Sequence, residues 1–241
     1  MLRVRIRGMI FKTNSAPRCV TYMRILNTEK EDYHIHSLNY SDGLNTIDEI
    51  ARYAGEIGMT KIVITDHSQA TLDRHGFPAK CFRTAIHRWR NVHNIVEVSF
   101  GVEADLLDEK GTFCSHIGGI EGEFVILSYH PEIYSGDKGM IAQGFINAIR
   151  RHYERIDIIG HLAAGLGRED IIAVVQEANR YNIPLEVNGK YFLSAPDSWD
   201  TLLQHADRIY VNSDTHTLSD LRDRRREVFR VLRQKGHLAK E

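Results

Sequence analysis

The chain has 241 residues, 42% hydrophobic and 26% charged, values of one large globular domain with its own core rather than a disordered or membrane-spanning chain. Lys and Arg number 31 against 32 Asp and Glu, and the net charge of −1 excludes the broad basic field that holds nucleic acid without regard to sequence. Three cysteines (Cys19, Cys81, Cys114) with no CxxC pair exclude a disulfide framework and a thiolate zinc site and fit a reducing, cytoplasmic compartment, which leaves 13 histidines as the unusual feature.

Residues 1–30 read as an N-terminal extension. Its first 28 residues carry six basic side chains (Arg3, Arg5, Arg7, Lys12, Arg18, Arg24) and no acid, as an organelle transit peptide does. Leu2, Val4 and Ile6 alternate with Arg3, Arg5 and Arg7, however, and a period of two suits an edge strand better than an amphipathic helix. A third reading takes Met23 as the start. No apolar run approaches the roughly 18 residues of a membrane helix.

From residue 31 to 241 one theme repeats: a short apolar run, a polar cluster, then a helical pattern. The runs are Asp32–His36, Lys61–Thr65, Val96–Val102, Phe124–Ser128, Ile156–Ile159, Leu185–Val187 and Ile209–Val211. Most are continuous rather than alternating, as parallel strands buried on both faces require. Between the first two, Thr46 and Glu49 form a capping box ahead of Ile47, Ile50, Ala51, Ala54 and Ile57, and Gly58 stands at the C-cap. Further helical stripes are Phe82, Ile86, Trp89 and Val92; Ile141, Phe145 and Ile149; and Ile171, Val174, Val175 and Ala178. A last helix runs from about Ser219 to Lys235, with Leu221, Val228 and Leu232 inward and Gly236 closing it. Seven strands alternating with helices, without a linker, predict a single parallel α/β barrel-like domain. An open doubly wound sheet is the weaker alternative, because no Gly-rich fingerprint follows the first strand.

The histidines keep phase with that pattern. His34 and His36 lie in the first run, and His67 directly follows the second. Glu103, His130 and His161 follow the third, fourth and fifth, and Asp214 and His216 follow the seventh. The C-terminal ends of barrel strands converge on one mouth, so these side chains are brought together. In His34-x-His36 and Asp214-x-His216 residues i and i+2 face the same way, about 7 Å apart. Imidazole and carboxylate donors suit Zn²⁺, Mn²⁺ or Fe²⁺, and eight of them exceed what one ion needs. They predict two or three ions, with Glu103 suited to bridging. Singly, each has a plain structural reading: a core histidine, a capping acid, a packed imidazole. Six strand ends in phase do not.

Asp32-Tyr33-His34-Ile35-His36-Ser37, Thr65-Asp66-His67-Ser68, Gly101-Val102-Glu103-Ala104, Ser128-Tyr129-His130, Gly160-His161 and Ser213-Asp214-Thr215-His216 resemble, in order, the PHP (polymerase and histidinol phosphatase) superfamily over about residues 32–235. The resemblance implies a distorted (β/α)7 TIM-like barrel and up to three metals on nine ligands. By position these are His34, His36, Asp42, His67, Glu103, His130, His161, Asp214 and His216, with catalytic roles expected at Glu103, Asp214 and His216. Asp42 enters only through the resemblance, since the residues alone read it as a turn acid. Leu162 stands where many relatives have proline, which loosens the backbone and leaves His161 intact.

That set predicts a phosphatase in which a metal-activated hydroxide attacks the phosphorus of a small phosphomonoester such as histidinol phosphate or a nucleotide. Lys190, past the sixth run, and Arg168, in the loop after His161, are the first choices for phosphate clamps; Arg74, His75 and Arg83 follow. Asn188 either contacts substrate or caps the strand. The alternatives are a nuclease trimming DNA or RNA ends, served by Arg222, Arg224, Arg225, Arg226, Arg230, Arg233 and Lys235, and a non-catalytic, metal-stabilised interaction module. Asp223 and Glu227 interleave with those cations, which favours a solvated helix face. Amidohydrolases also open with HxH in a barrel, but no bridging lysine stands at Ser128–His130.

Overall fold

The structure, a computed structural model, describes residues 23–77, 81–192, 194 and 196–238. The alternating segment at Leu2–Arg7 and Cys19 lie outside the described residues. The strands are β1 (Arg24–Ile25), β2 (Glu31–Ile35), β3 (Lys61–His67), β4 (Glu97–Leu106), β5 (Phe113–Cys114) and β6 (His116–Ile117). They continue with β7 (Ile120–Glu121), β8 (Val125–Ser128), β9 (Ile158–Ile159), β10 (Leu185–Asn188) and β11 (Arg208–Asn212). The helices are α1 (Ile47–Glu56), α2 (Gln69–His75), α3 (Phe82–Arg88), α4 (Ile141–His152), α5 (Arg168–Arg180), α6 (Pro196–His205) and α7 (Leu218–Gln234).

Seven strands, β2, β3, β4, β8, β9, β10 and β11, lie side by side in chain order and all parallel, each matching one apolar run of the sequence. The sheet curls until its ends meet. At the C-terminal end of the strands, His36 N–H donates to the Thr215 carbonyl (2.8 Å) and Thr215 N–H to that of His34 (3.2 Å). At the other end β1 pairs with β11, and the Asn27 side chain fills the seam. Its amide accepts from Val211 N–H (2.9 Å) and donates to the Val211 carbonyl (2.8 Å) and that of Glu31 (3.1 Å), standing in for a strand residue. The result is one distorted (β/α)7 barrel. No helix among the described residues is long and apolar enough to cross a membrane.

Apolar cores lie between the sheet and its outer helices. Ile62, Ile64, Phe100 and Val102 meet α1, α3 and Leu221 of α7 in one. Leu127, Ile159, Leu185, Val187 and Val211 meet α4, α5, α6 and the rest of α7 in the other. The α1 capping box is formed as expected, with Thr46 Oγ1 accepting from Glu49 N–H (3.3 Å) and Glu49 accepting from Thr46 N–H (2.8 Å). Gly58 adopts φ +77° just past that helix, a conformation open to glycine at little cost.

Three local features depart from the sequence reading. The stripe through Val92 stops early: α3 ends at Arg88 and Val92 is exposed, because Asn91 and Asn94 draw the backbone into a loop. Asn94 donates to the Ala51 carbonyl (2.8 Å), and Asn91 to that of Val96 (2.9 Å). The β4–β8 connection has no helix; β5 turns back antiparallel on β4 and a β6–β7 hairpin follows, its Gly118 and Gly119 both at positive φ. Helix α6 was not anticipated, although it buries Trp199, Leu202 and Leu203 on one side.

Candidate metal centre

A β-bulge at the start of the barrel sets the orientation of the first histidines. Asp32 pairs with Ile62 and Ile35 with Ile64, so Tyr33 and His34 together oppose the single residue Val63. Asp32 and Ile35 thereby share the outer face, while His34 and His36 both turn inward. His67 ends β3 directly opposite Glu103 of β4 in the sheet register. His130 and His161 stand two residues past β8 and β9. Asp214 follows β11 at φ +54°, a left-handed conformation that aspartate tolerates better than most residues. Arg224 of α7 steadies that turn by donating to the Asp214 carbonyl (2.5 Å).

These placements converge on Glu103, which is buried. Its Oε2 lies 3.0 Å from His67 Nδ1 and 3.4 Å from the Nε2 atoms of His34 and His36. Its Oε1 lies 2.7 Å from His161 Nε2 and 3.4 Å from His130 Nε2. Asp214 Oδ1 is 3.5 Å from His36 Nε2 and 3.3 Å from His216 Nδ1. Asp42 Oδ1 reaches His67 Nε2 (3.5 Å) and His216 Nε2 (3.3 Å) on the solvent side. Three groups, His36–Asp42–His67–His216, His34–His36–Asp214 and His67–Glu103–His130, each bring one donor atom per residue within 4.8 Å of the others. His161 joins through Glu103. All nine positions singled out in the sequence thus share one site.

The donor set fits divalent ions. Nε2 of His34 and Nε2 of His36 face one another at 3.2 Å in a buried pocket. His67 Nδ1 is buried and makes no hydrogen bond. Burial alone pushes the His34, His130 and His216 pKa values down, but the surrounding carboxylates outweigh it. Glu186 and Glu103 hold His34 well above the ordinary value, Glu103 and Asp105 do the same for His130, and Asp42 and Asp214 raise His216. His36 goes the other way, to about 3, through burial and the neighbouring His67. Glu103 and Asp214 resist burial and stay well below the usual carboxylate range because imidazoles surround them. Converging lone pairs and anionic carboxylates in a buried cluster are what a multinuclear cation site requires.

Behind the donors stands a second ring of carboxylates that the sequence reading missed. Glu186, buried in β10, accepts from His34 Nδ1 (2.8 Å), His161 N–H (3.2 Å), Asn188 Nδ2 (3.0 Å) and Asn212 Nδ2 (2.9 Å). Asp105 accepts from His130 Nδ1 (2.5 Å), Ser68 Oγ (2.6 Å) and Thr71 Oγ1 (2.8 Å). Each fixes an imidazole tautomer and aims the other ring nitrogen at the centre. The available signal was an acid inside the apolar run Leu185–Val187, since a buried charge needs partners. Glu186→Gln is expected to weaken metal retention by about 10- to 100-fold, read by competition with a chromogenic chelator. Unchanged affinity would leave Glu186 with a packing role alone.

The expected phosphate clamps part company. Lys190 Nζ lies 3.3 Å from Asp214 Oδ2 and 5.1 Å above the Tyr191 ring. Burial lowers its pKa, yet the Asp214 carboxylate prevails and leaves it raised. Asn188 donates to both Glu186 and Asp214 (3.3 Å), so it braces the donors from the end of β10. Arg168 is exposed at the first turn of α5, with no hydrogen bond or ion pair to any of the nine residues. Arg74 and His75 close α2 and Arg83 lies in α3, all exposed; His75 comes within 3.8 Å of Glu132.

A family model for the PHP domain matches residues 32–213. A probable phosphatase of Caldanaerobacter subterraneus subsp. tengcongensis is 29% identical over 207 residues, covering 79% of this chain and 77% of its own length. A probable phosphatase of a Thermoanaerobacter species is 29% identical over 224 residues, covering 85% and 86%. The crystal structure of histidinol phosphate phosphatase from Lactococcus lactis subsp. lactis, complexed with zinc, L-histidinol and phosphate, shares the fold. It aligns with 86% of this chain and 93% of its own at a TM-score of 0.51 and 15% identity.

Proposed function

The chain belongs to the PHP-domain family, and from that premise we propose that it is a metal-dependent phosphoesterase hydrolysing a small phosphomonoester. The observation that carries this reading is one carboxylate, Glu103, with five imidazoles within 3.4 Å of it. His34, His36, Asp42, His67, Glu103, His130, His161, Asp214 and His216 would hold two or three divalent ions, zinc, manganese or iron. When bound, such ions acidify water and neutralise charge on phosphoryl oxygens. Glu186 and Asp105 keep His34 and His130 in the tautomer that presents Nε2 inward. Lys190, held over Asp214, binds a phosphoryl oxygen and adds positive charge where the leaving oxygen develops negative charge. His216 and Asp42 are the most exposed members of the cluster, on its solvent side.

The L. lactis neighbour is complexed with zinc, L-histidinol and phosphate, and a small alcohol is the leaving group proposed for this chain. Helix α7 gives the nuclease reading little support, because six of the seven cations named for it are spent in pairs, with the exposed Arg226 the exception. Arg222 meets Asp223, Arg224 Asp220, Arg225 Asp32, Arg230 Glu227, Arg233 Glu29 and Lys235 Asp200. Hydrolysis of p-nitrophenyl phosphate is expected to fall more than 100-fold on chelation and to return with Mn²⁺ or Zn²⁺. Activity indifferent to the chelator would sink the proposal.

A further inference from the structure

We propose that the cavity between the end of α1 and α7 is a second anion site, which takes a doubly charged oxyanion, phosphate or a small phosphate ester. The cavity measures about 320 Å³ and lies at the opposite end of the barrel from the metal donors. Its lining residues Lys30 and Met59 stand just ahead of β2 and β3, whereas His36 and His67 stand at the far ends of those strands. Four cations line it, Lys30, Arg222, Arg225 and Arg226, against the single acid Glu29. Glu29 is already paired with Arg233, and Arg222 with Asp223 (2.7 Å). Lys30 and Arg226 are exposed, and no described acid is in ion-pair contact with either.

The fixed part of the wall is Arg225, only 4% exposed. Its Nε faces Asp32 (3.0 Å) and its Nη1 donates to the Glu31 carbonyl (2.6 Å), but its Nη2 has only the Met59 sulfur, a weak acceptor at 3.8 Å. Met59 lines the same cavity, so a buried guanidinium N–H there lacks the oxygen that an anionic ligand supplies. The cations are not needed to cap α1. Its terminal carbonyls at Tyr53, Ala54 and Gly55 already accept from the N–H groups of Ile57 (3.0 Å), Met59 (2.9 Å) and Gly58 (3.1 Å). The backbone of Lys30 is itself held, its carbonyl accepting from Thr60 N–H (2.8 Å) and Thr60 Oγ1 (3.3 Å). A cleft lined by one sign of charge concentrates counter-ions, and two uncompensated cations call for two negative charges. The planar fork of arginine suits a phosphate oxygen pair better than a point charge does. The volume is at the lower end of small-molecule pockets, roughly 300–1,000 Å³, which suits phosphate with at most a short body and not a polymer strand.

Calorimetric titration of inorganic phosphate into the metal-loaded protein tests the site. Two phosphates are expected per chain, one at the metal centre and one in this cavity. In the double variant Lys30→Ala, Arg226→Ala one of the two is expected to weaken at least tenfold, while the other and the bound metal stay as in the wild type. Both side chains are exposed, so the fold is retained, which an unchanged Tm in phosphate-free buffer checks. Glycerol phosphate in place of phosphate separates the two forms of the ligand: tighter binding at the variant-sensitive site assigns a phosphate ester, and equal or weaker binding assigns the free ion. Two phosphates with unchanged affinity in the double variant, or none outside the metal centre in the wild type, overturns the site. A single phosphate that the double variant loses upholds it, and in that case the phosphatase reading of the metal centre is the one that fails.

Discussion

Glu103→Gln is expected to lower kcat/KM for phosphomonoesters by about three decades, equivalent to about 4 kcal/mol of transition-state stabilisation. The substitution keeps the shape of the side chain and removes its charge. Glu103 touches His34, His36 and His67 through one oxygen and His130 and His161 through the other, joining five of the donors through a single carboxylate. An amide cannot present two anionic oxygens to two cations, and its NH2 would point a proton at one set of imidazoles. Elemental analysis of the purified variant should show fewer bound ions per chain, with the far-ultraviolet circular dichroism of the wild type retained. Full metal content and activity within tenfold of wild type would remove Glu103 from the centre of the mechanism.

What the sequence made legible follows from the kind of constraint each residue obeys. His34-x-His36 and Asp214-x-His216 were readable because strand geometry turns a spacing of two into a shared direction. The seven apolar runs were readable because a strand covered on both faces has no polar alternation to blur it. Glu186 and Asp105 were hidden for the opposite reason: a single acid in a strand carries no period, and its importance lies in partners from β2, β11 and the segment after β8 that only the closed barrel assembles. The bulge at Tyr33–His34 was equally silent. A strict period of two would put Asp32 on the same face as His34 and His36, whereas the bulge sends Asp32 outward to α7. The basic run of α7 misleads as sequence and resolves as structure, since its acidic partners come from residues as distant as Glu29, Asp32 and Asp200.

That outward turn of Asp32 makes the barrel seam a separate point of failure. Asp32 Oδ2 and Arg225 Nε form a buried ion pair at 3.0 Å, and Arg225 also donates to the Glu31 carbonyl (2.6 Å). The same carboxylate accepts from Ser213 Oγ (2.5 Å) and Ser213 N–H (3.2 Å), tying β2 to the residue just before Asp214. Arg225→Met is therefore expected to destabilise the fold by about 3–5 kcal/mol, the cost of leaving one buried charge without its partner. The sign of the pH dependence follows from Asp32. Burial raises its pKa above the free value of 3.8 even with Arg225 in place, and removing the arginine raises it further. The folded state thus disfavours the charged form, so the added penalty is fully present above the folded pKa and fades as pH falls toward 3.8. Urea denaturation of variant and wild type should show a stability difference larger at pH 8 than at pH 5. Asp32→Asn combined with Arg225→Met should recover part of the loss by removing the stranded charge. A difference below 1 kcal/mol, or one that does not change with pH, would mean that the seam is held by its backbone bonds and Asn27 instead.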